Sequence, residues 1–132
     1  ELDIGLGFMA GAIVDQHFSE RGRLARLLSA ITQRPELLGV GVDEDTALVI
    51  ERGVGIEVVG RGAVTLLDGR QLRSNFEDVE SRERLEMLGV RLNLLPAGRR
   101  YTVSPGSESW RRMPPHLREA VALLVAPGPI RG

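Results

Sequence analysis

Gly11-Ala12-Ile13-Val14-Asp15-Gln16-His17-Phe18-Ser19-Glu20-Arg21-Gly22-Arg23-Leu24-Ala25-Arg26 passes from an apolar run into a dense set of ionisable side chains and then into a helical pattern. Gly11 to Val14 reads as a short buried strand. Ser19 reads as the cap of the following helix, with Glu20 near its positive end. Leu24, Leu27, Leu28 and Ile31 recur at i, i+3, i+4 and i+7, one apolar stripe for packing on a sheet, and Pro35 ends the helix. Leu38 to Val42 then reads as a closely packed strand of alternating Gly and Val. Strand, helix and strand in succession predict an α/β fold. An acid, an amide, an imidazole and three guanidinium groups stand at the carboxyl end of its first strand, where open α/β sheets place their chemistry.

Outward from that unit, Leu2 to Phe8 reads as a strand or a turn leading into one. Thr46 to Ile50 reads as a strand broken by Gly53 and Gly55. Ile56–Val59 and Ala63–Leu67 flank Gly60-Arg61-Gly62 and predict a hairpin, with a further turn at Asp68-Gly69. Residues 71–84 are polar and read as loop or exposed helix. Val90–Leu95 and Tyr101–Val103 read as later strands. The whole predicts a parallel sheet extended by antiparallel strands at one edge. Ser104 to Ser107 is linker-like, and His116–Val125 has helical periodicity, so residues 1–103 read as one domain portion and 104–132 as a tail with a short helix. Only one crossover helix precedes the hairpins. Together with the lack of an initiator Met, this leads us to expect a piece of something longer, with an N-terminal half elsewhere.

The chain has 132 residues, one domain's worth, with 42% hydrophobic and 27% charged residues. Its formal net charge of -1 and 4% aromatic content argue against a nucleic-acid binder built on the arginine cluster. All 17 basic residues are Arg, whose planar forks suit carboxylates. The absence of Cys excludes disulfides, thiolate metal sites and a cysteine nucleophile. No signal-peptide pattern is visible, and no apolar stretch approaches the roughly 20 residues of a membrane helix. The expectation is a cytoplasmic protein with no membrane partner.

His17 follows one apolar strand and Asp43-Glu44 follows the next. If those strands are neighbours, an imidazole and a carboxylate emerge together, two-thirds of a nucleophilic triad. Arg21, Arg23 and Arg26 read either as a solvated face or as a clamp for a substrate carboxylate. Asp15 can receive a cationic substrate group or pair with one of these arginines. Asp15, His17 and Asp43 or Glu44 are acceptable metal ligands by type, but their spacing is not diagnostic. No metal and no cofactor are expected.

Gly5-Leu6-Gly7-Phe8, Ile13-Val14-Asp15-Gln16-His17-Phe18, Arg21-Gly22-Arg23-Leu24-Ala25-Arg26-Leu27 and Gly39-Val40-Gly41-Val42-Asp43-Glu44-Asp45-Thr46-Ala47, in that order, closely resemble the C-terminal half of cyanophycinase, the serine exopeptidase of the dipeptidase E-like family. The resemblance covers residues 1 to about 103. It implies an α/β three-layer fold similar to class I glutamine amidotransferases, with a nucleophilic Ser on a strand-to-helix elbow. Carried over residue by residue, it implies His17 as catalytic base and Glu44 as triad acid. Asp15, Gln16, Arg21, Arg23 and Arg26 then match positions around the substrate pocket. The implied substrate is cyanophycin, a poly-aspartate backbone bearing Arg on each β-carboxylate, released as β-aspartyl-arginine dipeptides.

The sequence departs from the family at the nucleophile. Ser19, Ser29, Ser74, Ser81, Ser104, Ser107 and Ser109 all lack the Gly-rich elbow context. The expectation is therefore half an active site, its serine carried by a missing N-terminal half or a second chain. The alternative is a non-catalytic module for Arg- or Asp-rich peptides. A homodimer is a further possible partner state.

Overall fold

The computed structural model describes residues 6–9, 11–16, 22–75 and 84–126. In chain order they form β1 (Leu6–Met9), β2 (Ala12–Gln16), α1 (Arg23–Gln33), β3 (Leu38–Val42), β4 (Thr46–Glu51), β5 (Gly55–Gly60) and β6 (Ala63–Asp68). There follow β7 (Arg73–Ser74), β8 (Met87–Leu88), β9 (Arg91–Pro96), β10 (Arg100–Thr102), α2 (Glu108–Arg112) and α3 (Pro115–Val125). The strand–helix–strand unit is present as anticipated. β2 and β3 run parallel, with Ile13 beside Gly39 and Gln16 beside Val42. They lie inside a five-stranded sheet of order β1-β2-β3-β6-β9, in which every other pairing is antiparallel. The fold is thus mixed α/β, but the parallel part is a single pair enclosed by antiparallel strands.

Alternation along the strands sorts their side chains onto two faces. Ile13 of β2 and Leu67 of β6 pack with Leu27 and Ile31 of α1 on one face. The glycines of β3 lie on the same face. A Cβ on Gly39 would stand 3.0 Å from Ile31 Cγ2 and 3.1 Å from Leu27 Cγ, so this glycine lets the helix seat closely. Val40 and Val42 point the other way, into the larger core with Val64, Leu66, Ile56 and Val58. The Gly/Val alternation therefore encodes helix on one side and a second sheet on the other.

That second sheet has the order β10-β5-β4. Here the structure corrects the expected hairpin across Gly60-Arg61-Gly62. β5 pairs with β4 and β10, whereas β6 pairs with β3 and β9. The three residues form a corner at which the chain leaves one sheet for the other. The paired hairpin is β4–β5, turning around Gly53 at φ +76°. Local turn chemistry looks alike in both cases; the choice of sheet is decided by where Val58 and Val64 find their core.

Helix α1 also starts later than expected. Its N-cap is Gly22 at φ 88°, with no side-chain cap hydrogen bond, and Ser19 and Glu20, read as the start of this helix, lie outside the described residues. Of the stripe, Leu27 and Ile31 are buried and Leu28 is half-buried, but Leu24 is 42% exposed. It lies in the first turn, before the helix is fully seated on the sheet. Residues 76–83 of the polar segment lie outside the described residues, and the short β7–β8 pair flanks them.

Beyond Ser104 the chain supplies two helices. Ser107 caps α2 by accepting from the Trp110 N–H, with Glu108 in the first turn and Arg111 and Arg112 in the last, all favourable to the helix dipole. α3 begins with Pro115, whose fixed φ suits a first helical position. Its Leu117, Ala120, Val121, Leu124 and Val125 are buried in the larger core. The Gly53 N–H donates to the Val125 carbonyl at 2.9 Å, tying the end of α3 to the β4–β5 turn. The Arg118 guanidinium lies 3.6 Å over the Trp110 ring and donates to the Trp110 carbonyl.

Candidate active site

Asp15 occupies the α1 face of β2 and is completely buried. An isolated carboxylate there would be prohibitively costly. It is neutralised by the fork of Arg26, whose Nη2 donates to Oδ1 at 2.6 Å and whose Nε donates to Oδ2 at 3.3 Å. Arg23 Nη1 stands 3.9 Å from the same Oδ1. Arg23 and Arg26 are three residues apart on α1, so one helical turn presents both to a single carboxylate. Of the two readings of Asp15, the structure shows the ion pair. Its carboxylate is turned into the protein, fixing two guanidinium groups at the sheet edge.

The other face of the same edge carries a cavity of about 360 Å³. Its floor is apolar, from Val14, Val40, Val42, Leu48 and Ile50, and its rim holds Gln16, Asp43, Glu44 and Asp45. The parallel register explains why these groups meet. With Gln16 beside Val42, β2 and β3 end side by side, and the β3–β4 turn follows immediately. Glu44 and Asp45 are the exposed residues of that turn. Asp43, the other acid weighed at this position, accepts the Ala63 N–H through Oδ2 at 3.0 Å and is thereby part of the turn's framework. The edge is thus electrostatically divided, with arginines held on the α1 face and acids around the cavity on the opposite face.

The structure brings Asp15, Arg23 and Arg26 together and places Gln16 and Glu44 around one cavity. His17 and Arg21 lie outside the described residues. Among the described residues no group of three or more His, Cys, Asp or Glu is arranged to hold a metal ion. No described helix is long and apolar enough to cross a membrane. Of the described serines, Ser104 and Ser107 lie in the connection from β10 to α2, where Ser107 caps the helix, while Ser29, Ser74 and Ser109 lie within α1, β7 and α2.

One polar cluster escaped the reading of the sequence. Asp68, only 5% exposed, accepts the Arg70 fork at 2.9 and 2.7 Å, and Arg70 also reaches Glu119 at 3.5 Å. His116 Nε2 lies 3.2 Å from the Asn93 amide nitrogen. Burial pushes the Asp68 carboxyl up, but the side-chain and backbone hydrogen bonds from Arg70 outweigh it and hold the group below its ordinary range. Asp68 pairs with Leu38, so this cluster sits at the opposite edge of the sheet from Glu44. It joins β6 to α3. The turn signal Asp68-Gly69 marked the position, but nothing local announced that α3 would pack against it.

The chain is similar to curated cyanophycinases. Identity is 44% over 102 residues to the cyanophycinase of Geminocystis herdmanii (strain PCC 6308), covering 76% of this chain and 38% of that protein. It is 43% over 104 residues to that of Thermosynechococcus vestitus (strain NIES-2133 / IAM M-273 / BP-1), covering 78% of this chain and 32% of that protein. It is 41% over 102 residues to that of Nostoc sp. (strain PCC 7120 / SAG 25.82 / UTEX 2576), covering 76% and 34%. The chain therefore spans about a third of the length of the curated relatives it matches. No protein-family profile matches.

Proposed function

We propose that this chain, similar over three-quarters of its length to cyanophycinases, is the part of a cyanophycin-hydrolysing serine exopeptidase that bears the base and the acid. The supporting observation is the shared edge of β2 and β3. There Glu44 and Gln16 rim one cavity while Asp15 fixes Arg23 and Arg26 on the other face. The whole fold in this reading is the glutamine amidotransferase-like three-layer arrangement, completed by a segment or second chain that carries the nucleophile.

In the mechanism, the serine Oγ attacks the scissile carbonyl carbon while His17 takes its proton. Glu44 orients the imidazole and stabilises the imidazolium that forms. Collapse of the tetrahedral intermediate breaks the C–N bond as His17 returns the proton to the leaving amine. Water then hydrolyses the acyl-enzyme by the same relay, regenerating the serine and releasing a β-aspartyl-arginine dipeptide. Arg21, Arg23 and Arg26 bind substrate carboxylates, with Asp15 holding the last two in place. The acidic rim with Gln16 receives the guanidinium side of the substrate.

The test is His17→Ala in the full-length protein. Hydrolysis of cyanophycin, followed as dipeptide release, is lost while the far-UV ellipticity is retained. Undiminished turnover refutes the assignment of His17. Binding of β-aspartyl-arginine with no hydrolysis of cyanophycin by the unmodified full-length protein favours the non-catalytic module instead.

A further inference from the structure

We infer that Thr46 is the positioning residue for Glu44, holding the acid's turn against the Gly60–Gly62 corner through one hydroxyl with two hydrogen bonds; the inference rests on the role proposed for Glu44. The turn that carries Glu44 is short and unusual. Asp45 adopts φ 56°, in the left-handed region that few residues other than glycine occupy without support. Its neighbours supply that support from the corner between the two sheets. The Arg61 N–H donates to the Asp45 carbonyl at 3.0 Å, and the Ala63 N–H donates to Asp43 Oδ2 at 3.0 Å. The Asp43 N–H returns a bond to the Ala63 carbonyl at 3.1 Å.

These bonds fix the residues on either side of Glu44. The peptide of Glu44 itself is held by Thr46, whose Oγ1 donates to the Glu44 carbonyl at 3.0 Å and accepts the Gly62 N–H at 2.9 Å. A hydroxyl is suited to this place because it donates and accepts at once. Valine has the same shape but neither capacity, and serine has both in a smaller body.

The corner is built to come this close. A Cβ on Gly62 would lie 2.7 Å from Asp43 Cβ and 2.8 Å from Thr46 Oγ1, and one on Gly60 would run into the Asp45 carbonyl. Gly60, the last residue of β5 and the register partner of Thr46, and Gly62, just before β6, are thus spent on approaching the Glu44 turn. Positional errors of about 1 Å can cost roughly 100-fold in rate, so a brace on the acid's peptide acts on the chemical step.

The experiment is a double-mutant cycle in the full-length protein with cyanophycin as substrate. Thr46→Val lowers kcat by about 10-fold to 100-fold while KM stays within about twofold, and Thr46→Ser stays within about threefold of wild type. In a Glu44→Gln background, Thr46→Val produces no further loss, because a positioning residue has nothing left to position. A merely structural residue would instead multiply its loss through both backgrounds, and that result overturns the inference. So does wild-type kcat in Thr46→Val. Should Thr46→Val fail to fold, Thr46→Ala replaces it in the same cycle. An inactive wild type would remove the functional reading, and this inference with it; an active wild type with multiplicative losses removes the inference alone.

Discussion

Arg26→Met and Asp15→Asn break the same ion pair, and the structure makes them unequal. Asp15 has no exposed surface, while the Arg26 side chain is 30% exposed. Removing the guanidinium leaves a carboxylate that cannot turn to water, with Arg23 Nη1 at 3.9 Å as its remaining cation among the described partners. Breaking a buried pair in this way costs about 3–5 kcal/mol. Asp15→Asn keeps the shape and two polar atoms and leaves the charge on the partner that does reach solvent. The loss there is about 1–3 kcal/mol, that of a charge-assisted hydrogen bond. The double variant should recover part of the Arg26→Met loss, because the stranded charge is gone. Urea unfolding of the three variants and the wild type, followed by far-UV ellipticity, reads all four stabilities. If Asp15→Asn proves the more damaging single change, or if the double variant equals the sum of the two, burial of Asp15 is not what sets the cost.

Two further outcomes concern the opposite edge and the tail. Asp68 is held below its ordinary value of 3.8 chiefly by Arg70 working against burial, so its contribution to stability is present above that value and disappears as pH falls through the lower folded one. The stability difference between wild type and Arg70→Met, measured by urea unfolding, should be full near neutral pH, above the raised range in which burial leaves Asp68 without Arg70, and shrink as pH falls through that range toward the lowered one of the wild type; a gap that does not change with pH would contradict this. Leu124 is 3% exposed in the larger core, and Leu124→Ala should cost about 2–5 kcal/mol of unfolding free energy; a loss under about 1 kcal/mol would mean that α3 is not part of that core.

What the sequence revealed followed from short-range pattern. The apolar run at Ile13, the stripe at Leu27 and Ile31, and the Gly/Val alternation at Gly39–Val42 each carry a period that betrays the element and its buried face. The carboxyl-end placement of Asp15, Gln16 and Glu44 then followed from parallel pairing alone. What remained hidden was non-local. Gly60-Arg61-Gly62 has the chemistry of a hairpin turn, and only the burial of Val58 and Val64 in the common core makes it a corner. The pairing of Asp15 with Arg26 was one of two open readings, since spacing along a helix does not say whether a carboxylate faces inward. The bond between Thr46 and Gly62 joins β4 to the corner 16 residues further on and has no local signature at all.

The union of the β4–β5 turn with the end of α3 has a consequence for the order in which the molecule is made. Arg52 donates to the Ala126 carbonyl across a separation of 74 residues, and the neighbouring Gly53 N–H donates to Val125. On a ribosome the β4–β5 hairpin emerges well before the helix that covers it, at about 5–20 residues per second. During those seconds Ile56 and Val58 have strands to pair with but no lid. The apolar face of that sheet is therefore covered on the α3 side only once Leu117 to Val125 have been made.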